Sequence, residues 1–351
     1  MTRVGFITSP LTSGHSGRGV GFYVKRLLPH LKSQAPNFGF EIFEIENLLK
    51  IKKLKLKIVH YPFFDLFTPS LPLISPAKTI ITIHDVIPLE FPDYYPPGIK
   101  GKLALTWQKL ALSRAERVIT DSYASIKAIR KHLSVPHDKI KLVYLAPGLE
   151  FKPLADPKIL ASVLRKYRLP AKFILYVGDI NWNKNLPTLA EACQKIQIPL
   201  VLAGKQVANL EQLDTSHPEL SHLSNLKSQI SNLAVRRLGF VPESDLVAIY
   251  NLATVYCQPS YAEGFGLPVL EAMTCGTPVI CSRSHSLPEI AGDAAIFFDP
   301  YSAADLINKI IFVLSDKNLQ QKLSAGGIEQ AAKFTWTKTA RETLQVYQEV
   351  M

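Results

Sequence analysis

Two glutamates with seven residues between them frame the stretch of this 351-residue chain that is richest in chemical possibility, Glu263-Gly264-Phe265-Gly266-Leu267-Pro268-Val269-Leu270-Glu271. Pro268 opens a helix, where its missing N–H costs nothing, and Gly276 stands where helices commonly end. The glycines therefore lie in a loop that feeds a helix N-terminus. Such an end carries unpaired N–H groups and a partial positive charge, which makes it a site for an anion such as a diphosphate. Gly264 and Gly266 let the backbone approach that anion closely. Glu271, in the first turn, is an acceptor for vicinal hydroxyls such as those of a ribose, and Glu263 reaches another part of the same ligand. A strand-to-helix turn with two surface glutamates is the plain alternative. Lys184 closes the loop Gly178 to Asn185 and is a point charge for a diphosphate or an ordinary surface lysine. His84-Asp85 follows the apolar run Lys78 to Ile83, at the strand end where parallel sheets bind ligands.

The elements that must position these residues form two successive βα series. In the first, Arg3 to Thr8 reads as a strand, Ser9 to Gly19 as a Gly/Ser-rich loop and Val20 to Leu31 as a helix with Val20, Val24, Leu27, Leu28 and Leu31 on one side. That order is a phosphate-binding opening, although the glycine spacing is not that of a dinucleotide fingerprint. Further strands are expected at Gly39 to Ile45, Lys78 to Ile83, Arg117 to Thr120 and Ile140 to Leu145. A helix from Gly98 to Ala115 and one from Tyr123 to Leu133, capped at Asp121-Ser122, lie between them. The breaker-rich run Ala146 to Pro153 is read as a linker. The second series has strands at Phe173 to Val177, Pro199 to Ala203, Val235 to Leu238, Thr254 to Cys257, Thr277 to Cys281 and Ala295 to Phe298, with Leu287-Pro288-Glu289 in a loop. The fold class is α/β with three sections: residues 1–153, 154–334 and a closing helix over 335–351 anchored by Trp336.

The quoted motifs resemble those of the retaining glycosyltransferase family 4 (glycosyl transferases group 1), and the loop His84-Asp85 through Tyr94 resembles its mannosyl-transferring members. The likeness runs over nearly the whole chain and is densest from Gly239 to Gly292. It implies the GT-B architecture: two Rossmann-like domains facing a cleft, the first for the acceptor and the second for a nucleotide-sugar donor, with the final helix crossing back to the first. By the same resemblance Glu263 and His84 face the donor sugar and are the catalytic candidates, with Asp85 orienting the imidazole. Gly19 contacts donor phosphate, in a run where Arg18 replaces the usual first glycine. The Gly178 loop and Lys184 meet the diphosphate. Phe240 and Val241 hold the base, Gly264, Phe265, Gly266 and Leu267 hold sugar and phosphate, and Glu271 binds ribose. Asn183 stands where the family usually has Arg, which removes a phosphate fork. The resemblance implies a GDP-mannose donor and a glycan or lipid-linked acceptor, with no cofactor. No Asp-x-Asp occurs in the chain, so a metal clamp of the other common transferase fold has no sequence support. Epimerases and phosphorylases of the same two-domain plan, or a nucleotide-binding or membrane-docking protein that lost catalysis, are the competing classes.

Composition sets the remaining bounds. No apolar run is long enough to span a bilayer and no signal peptide precedes the first strand, which points to a cytoplasmic protein or one held at the inner membrane face. Cys193, Cys257, Cys275 and Cys281 are scattered without Cys-x-x-Cys spacing and read as buried apolar residues. The net charge of +11 lies wholly in the first half: residues 1–155 hold 22 Lys and Arg against 11 Asp and Glu, and the rest balance at 18 each. That asymmetry fits an anionic membrane surface better than nucleic acid, or else a solubilising face. Lys53, Lys55 and Lys57 would share one face of an extended segment, as lipid contacts or as a solvated edge.

Overall fold

The computed structural model describes residues 1–12, 19–46, 54–224, 226 and 234–351. The chain divides into two compact units. One comprises Met1–Ala146 with Phe334–Met351, and the other comprises Pro147–Lys333.

The first unit holds a six-stranded sheet of β1 (Thr2–Ile7), β2 (Phe40–Ile45), β3 (Ile58–Tyr61), β4 (Lys78–Thr82), β5 (Arg117–Thr120) and β6 (Ile140–Leu142). All its pairings are parallel, in the order β2-β1-β3-β4-β5-β6. A parallel sheet is covered on both faces, so its strands read as continuous apolar runs. β3 is the extreme case, with Ile58, Val59, His60 and Tyr61 all buried. The sequence reading missed β3 because the lysine-rich run before it masks its start. The described part of that run is not an extended edge: Lys55 has φ 49° and sits in a turn, while Lys53 lies outside the described residues.

The closing helix, Trp336–Glu349, starts at Thr335, whose hydroxyl accepts from the Lys338 N–H. Trp336, Ala340, Leu344 and Tyr347 are buried at helical spacing and pack on the helix Gly19–Gln34. The hydroxyl of Tyr347 lies 2.7 Å from Nδ1 of the fully buried His60, whose Nε2 lies 2.8 Å from Oγ1 of Thr82. Burial pushes the His60 ring down to a pKa of about 3, so it is neutral, and each nitrogen has a hydroxyl partner.

The second unit repeats the plan with β7 (Ile174–Val177), β8 (Leu200–Ala203), β9 (Val235–Gly239), β10 (Val255–Gln258), β11 (Val279–Ser282) and β12 (Ala295–Phe298). The order is β12-β11-β10-β7-β8-β9, again all parallel. The chain fills the sheet from β7 outward to β9, then restarts at β10 on the other side. The carboxyl ends of β7 and β10 thus flank the point where the order reverses, where loops part to leave a crevice. The residues Leu287–Ala291, read from sequence as a loop, form a short helix. Pro288 is tolerated in its first turn.

Candidate active site

In the second unit the loops after β7 and β10 meet at that crevice. The β7 loop ends in the 3-10 turn Trp182–Lys184, with Asn185 in the left-handed region at φ 53°. Asn183 and Asn185, both buried, fasten it to the β10 loop. Asn183 Nδ2 donates to the Ala262 carbonyl (2.9 Å), and its own carbonyl accepts from the Tyr261 N–H (2.8 Å). Asn185 Nδ2 donates to the carbonyls of Pro259 (3.0 Å) and Pro300 (2.9 Å). Between them Lys184 projects onto Glu263, with Nζ 2.9 Å and 2.8 Å from the two carboxylate oxygens. Asn183 therefore closes the loop by hydrogen bonds, a job for a short neutral amide in a buried position.

Glu263 is a buried hub. Its Oε1 also accepts from Ser260 Oγ (2.5 Å) and Gln258 Nε2 (2.7 Å), and the Gln258 carbonyl in turn accepts from the Tyr256 hydroxyl. Glu263 is only 8% exposed, and a carboxyl group taken out of water in this way needs partners for its oxygens, which these donors supply. Below it, hydroxyls from β11 and the loop beyond clamp the backbone. Ser282 donates to the Ser260 carbonyl, Ser284 to that of Tyr261, and Ser286 to those of Glu263 (2.9 Å) and Phe265 (2.8 Å). Sequence reasoning missed Gln258, Ser260 and these serines. Gln258 and Ser260 reach Glu263 within one loop, whereas Ser282, Ser284 and Ser286 reach that loop because β10 pairs with β11.

The loop leaves the hub through Gly264, Phe265 and Gly266. Gly266 has φ 110°, a conformation that favours glycine, and a Cβ there would also press on the Leu287 side chain at 2.8 Å. The helix that follows is Leu267–Thr274, so Leu267 is its first residue and Pro268 lies inside the first turn. Gly276 ends it in the left-handed region at φ 74°. Glu271 then falls in the second turn, not the first. Buried at 8% exposure, it accepts from the Tyr250 hydroxyl at 3.2 Å.

A row of glycines continues along the carboxyl ends of β7, β8 and β9. The N–H of Gly178 bonds the Ala203 carbonyl, and that of Gly204 bonds the Gly239 carbonyl. A Cβ on Gly204 would lie 2.0 Å from the Gly178 carbonyl oxygen, so the strand ends touch through bare backbone. Phe240, just beyond Gly239, is 65% exposed, while Val241 is buried.

In the first unit His84 and Asp85 follow β4. The imidazole is oriented by Asp121 after the neighbouring strand β5, with Nδ1 at 2.5 Å from Oδ2. Asp85 does not do this. Its Oδ1 accepts from the Ile87 N–H (3.1 Å) at the start of the short helix Ile87–Glu90. Asp121 is not the helix cap either. Ser122 takes that place and accepts from the Ser125 N–H at 3.0 Å. Burial opposes a charged His84, but the charge of Asp121 and its hydrogen bond outweigh burial, and the ring is pushed above its ordinary 6.5. Burial raises the Asp121 carboxyl in turn. Nε2 of His84 is buried without a hydrogen-bond partner, and the Tyr23 ring stands edge-on 4.8 Å away. Gly19 opens the helix that carries Tyr23, with open space where a Cβ would be.

The second unit can therefore present a lysine and a helix N-terminus to an anion and two buried carboxylates to hydroxyls, and the first unit, by itself, carries an oriented imidazole. Comparison with known proteins agrees with that chemistry. Residues 4–146 match the model described as Glycosyltransferase Family 4, and residues 165–330 match Glycosyl transferases group 1. The O-antigen chain mannosyltransferase B of Escherichia coli is 32% identical over 279 residues, covering 77% of this chain and 70% of that protein. The serotype-specific mannosyltransferase WbdA of Escherichia coli is 32% identical over 288 residues, but this chain spans only 34% of its length. Among solved structures, a sucrose-phosphate synthase from Thermosynechococcus elongatus superimposes with a TM-score of 0.75 at 21% identity, covering 99% of both chains. Anabaena HepE in complex with UDP and glucose gives 0.74 at 16%, covering 99% of this chain and 100% of that one.

Proposed function

The chain belongs to glycosyltransferase family 4 and is a hexosyltransferase, and from that premise we propose that it moves mannose from GDP-mannose to a saccharide acceptor with retention at the anomeric carbon. The observation that carries the choice of sugar is the 32% identity to O-antigen chain mannosyltransferase B over 70% of that enzyme. The acceptor is a growing glycan or a lipid-linked saccharide at an anionic membrane face.

Lys184 and the N-terminus of Leu267–Thr274 stabilise the diphosphate as it departs, and no metal takes part. The backbone of Gly178 and of Gly264 to Leu267 lines its path, and Gly19 is the phosphate contact that the family resemblance implies. Glu271 holds the ribose, and the segment Phe240-Val241 holds the base. Glu263 and His84 position the donor sugar. A covalent double displacement needs two carboxylates about 5 Å apart across the reacting carbon. Glu263 is instead saturated by Lys184, Ser260 and Gln258, a state that suits an acceptor of hydrogen bonds better than a nucleophile. The departing phosphate oxygen therefore takes the proton of the acceptor hydroxyl on the same face.

The test is transfer from GDP-mannose, GDP-glucose, UDP-glucose and ADP-glucose to mannose oligosaccharides, with EDTA present throughout. The reading expects an α-linked product from GDP-mannose alone. A preference for a UDP sugar would overturn the donor. Tight GDP binding with neither transfer nor donor hydrolysis would make the chain a binding protein.

A further inference from the structure

The helix Gly98–Ser113 buries one face and leaves the opposite one apolar. Gly101, Ala104, Gln108, Ala111 and Leu112 point into the first unit. On the far side Ile99, Leu103 and Leu110 are 82%, 69% and 51% exposed and share a stripe about 40° wide. Trp107 adjoins them, 44% exposed, its Nε1 donating to the Leu71 carbonyl at 3.3 Å. Ile74, 82% exposed, extends the patch from the loop that Trp107 and Arg114 hold. Arg114 donates to the Leu73 carbonyl at 2.8 Å. Exposed Lys100, Lys102, Lys109 and Arg114 flank the stripe, and no Asp or Glu occurs from Tyr94 to Ala115. Beside Arg114 opens a cavity of about 530 Å³, walled by Leu71, Leu73 and Ile74 with Lys57 and Lys78.

A contiguous apolar ridge of this kind marks an interaction surface. We infer that the exposed face of Gly98–Ser113, with Ile74, docks the first unit on an anionic lipid bilayer. The residues divide as an interfacial helix requires: aliphatic side chains at the crest, a tryptophan beside them at the depth of the headgroups, and cations on the flanks to meet lipid phosphates. A second copy of the chain fits less well. A two-fold contact would set the same four cations against themselves. The inference rests on the lipid-linked acceptor above only for its purpose, because vesicle binding is read without donor or acceptor.

The full chain is floated with vesicles of phosphatidylcholine alone and with vesicles containing about 30 mol% phosphatidylglycerol. It is expected to float with the second and not the first, and to be released by high salt. The triple variant Ile99→Ser, Leu103→Ser, Leu110→Ser should lower partitioning about tenfold or more at an unchanged melting temperature and GDP affinity. Lys102→Glu with Lys109→Glu should do the same. No flotation of the parent chain with anionic vesicles would overturn the inference, as would equal flotation of the triple variant. A dimer that the triple variant turns into a monomer would assign the patch to a second copy instead. Vesicle binding without mannose transfer would sink the donor and acceptor proposed above and leave the docking surface standing.

Discussion

Replacing Glu263 with Gln separates the work of its charge from the work of its shape. The carboxylate accepts from Lys184 at both oxygens and from Ser260 and Gln258 at Oε1. A glutamine can keep the Ser260 and Gln258 bonds through its carbonyl. Its amide N–H then faces the Lys184 ammonium, donor against donor, and the lysine loses its counter-ion. Breaking a fully buried pair costs about 3–5 kcal/mol. The Lys184 side chain keeps 22% of its exposure, so water recovers part of that, and a loss of about 2–3 kcal/mol is expected. In a unit of this size the melting temperature should fall by roughly 4–12 °C. Lys184→Met strands the carboxylate instead and should cost a similar amount. The double variant removes both charges, so urea denaturation of the four proteins should give a coupling of about 1–3 kcal/mol. In transfer assays Glu263→Gln should lower kcat by about 100-fold or more while GDP affinity is kept or rises, because on the proposed reading Lys184 no longer has to leave a counter-ion to meet the diphosphate. Additive stability losses would refute the buried ion pair. Equal losses of turnover and GDP affinity would refute the assignment of Glu263 to the sugar.

Three further outcomes follow from the same geometry. The raised pKa of His84 means that its ion pair with Asp121 stabilises the fold fully below pH 6.5 and is lost as pH rises through the folded value. An imidazole titration by NMR should place His84 above 6.5 in the parent chain and lower in Asp121→Asn, where burial is opposed only by the charge of Asp85 and a hydrogen bond to the Pro62 backbone. Gly204→Ala drives a methyl to 2.0 Å from the Gly178 carbonyl, so calorimetry should find a loss of about 3 kcal/mol or more and GDP should no longer raise the melting temperature. Trp336→Ala empties a site that is 2% exposed beside Tyr23, and should cost about 3–5 kcal/mol by urea denaturation.

What was legible in the sequence was what is local. The glycine, proline and capping signals around Glu263 to Gly276 gave a loop and a helix because each acts within a few residues, and Tyr123–Leu133 was read to the residue from Ser122 and its periodicity. Even there the helix began one residue early, which moved Glu271 into the second turn. What was hidden depends on strand order. Asp121 lies 37 residues from His84 and reaches it only because β4 and β5 are neighbours. The adjacent Asp85 was the nearer guess and was wrong as the imidazole's partner. Gln258 falls just past the strand expected at Thr254 to Cys257 but ends β10, which directs its amide to Glu263. The glycine row Gly178, Gly204 and Gly239 belongs to three strands and has no signature along the chain. The exposed stripe of Gly98–Ser113 went unread because periodicity announces an apolar face without saying which of two faces is covered.

The pairing of Lys184 with Glu263 also bears on how an anion would enter. A lone lysine in a crevice would be costly to keep charged, and a lone buried carboxylate more so. Held together they offset each other's charge. A diphosphate that draws Lys184 away leaves Glu263 with the Ser260 hydroxyl and the Gln258 amide, so the carboxylate is not orphaned by the exchange. Those two neutral donors thus lower the cost of binding at a place where they touch no ligand. Ser260→Ala, which removes one of them, should weaken GDP binding by about 3–10-fold, the worth of one hydrogen bond to a charge that has just lost its partner. Isothermal titration measures it. In the Lys184→Met background the same substitution should change GDP affinity by less than about twofold, since no exchange remains to be eased. An undiminished effect there would show that Ser260 meets the ligand directly, and the exchange would have to be abandoned.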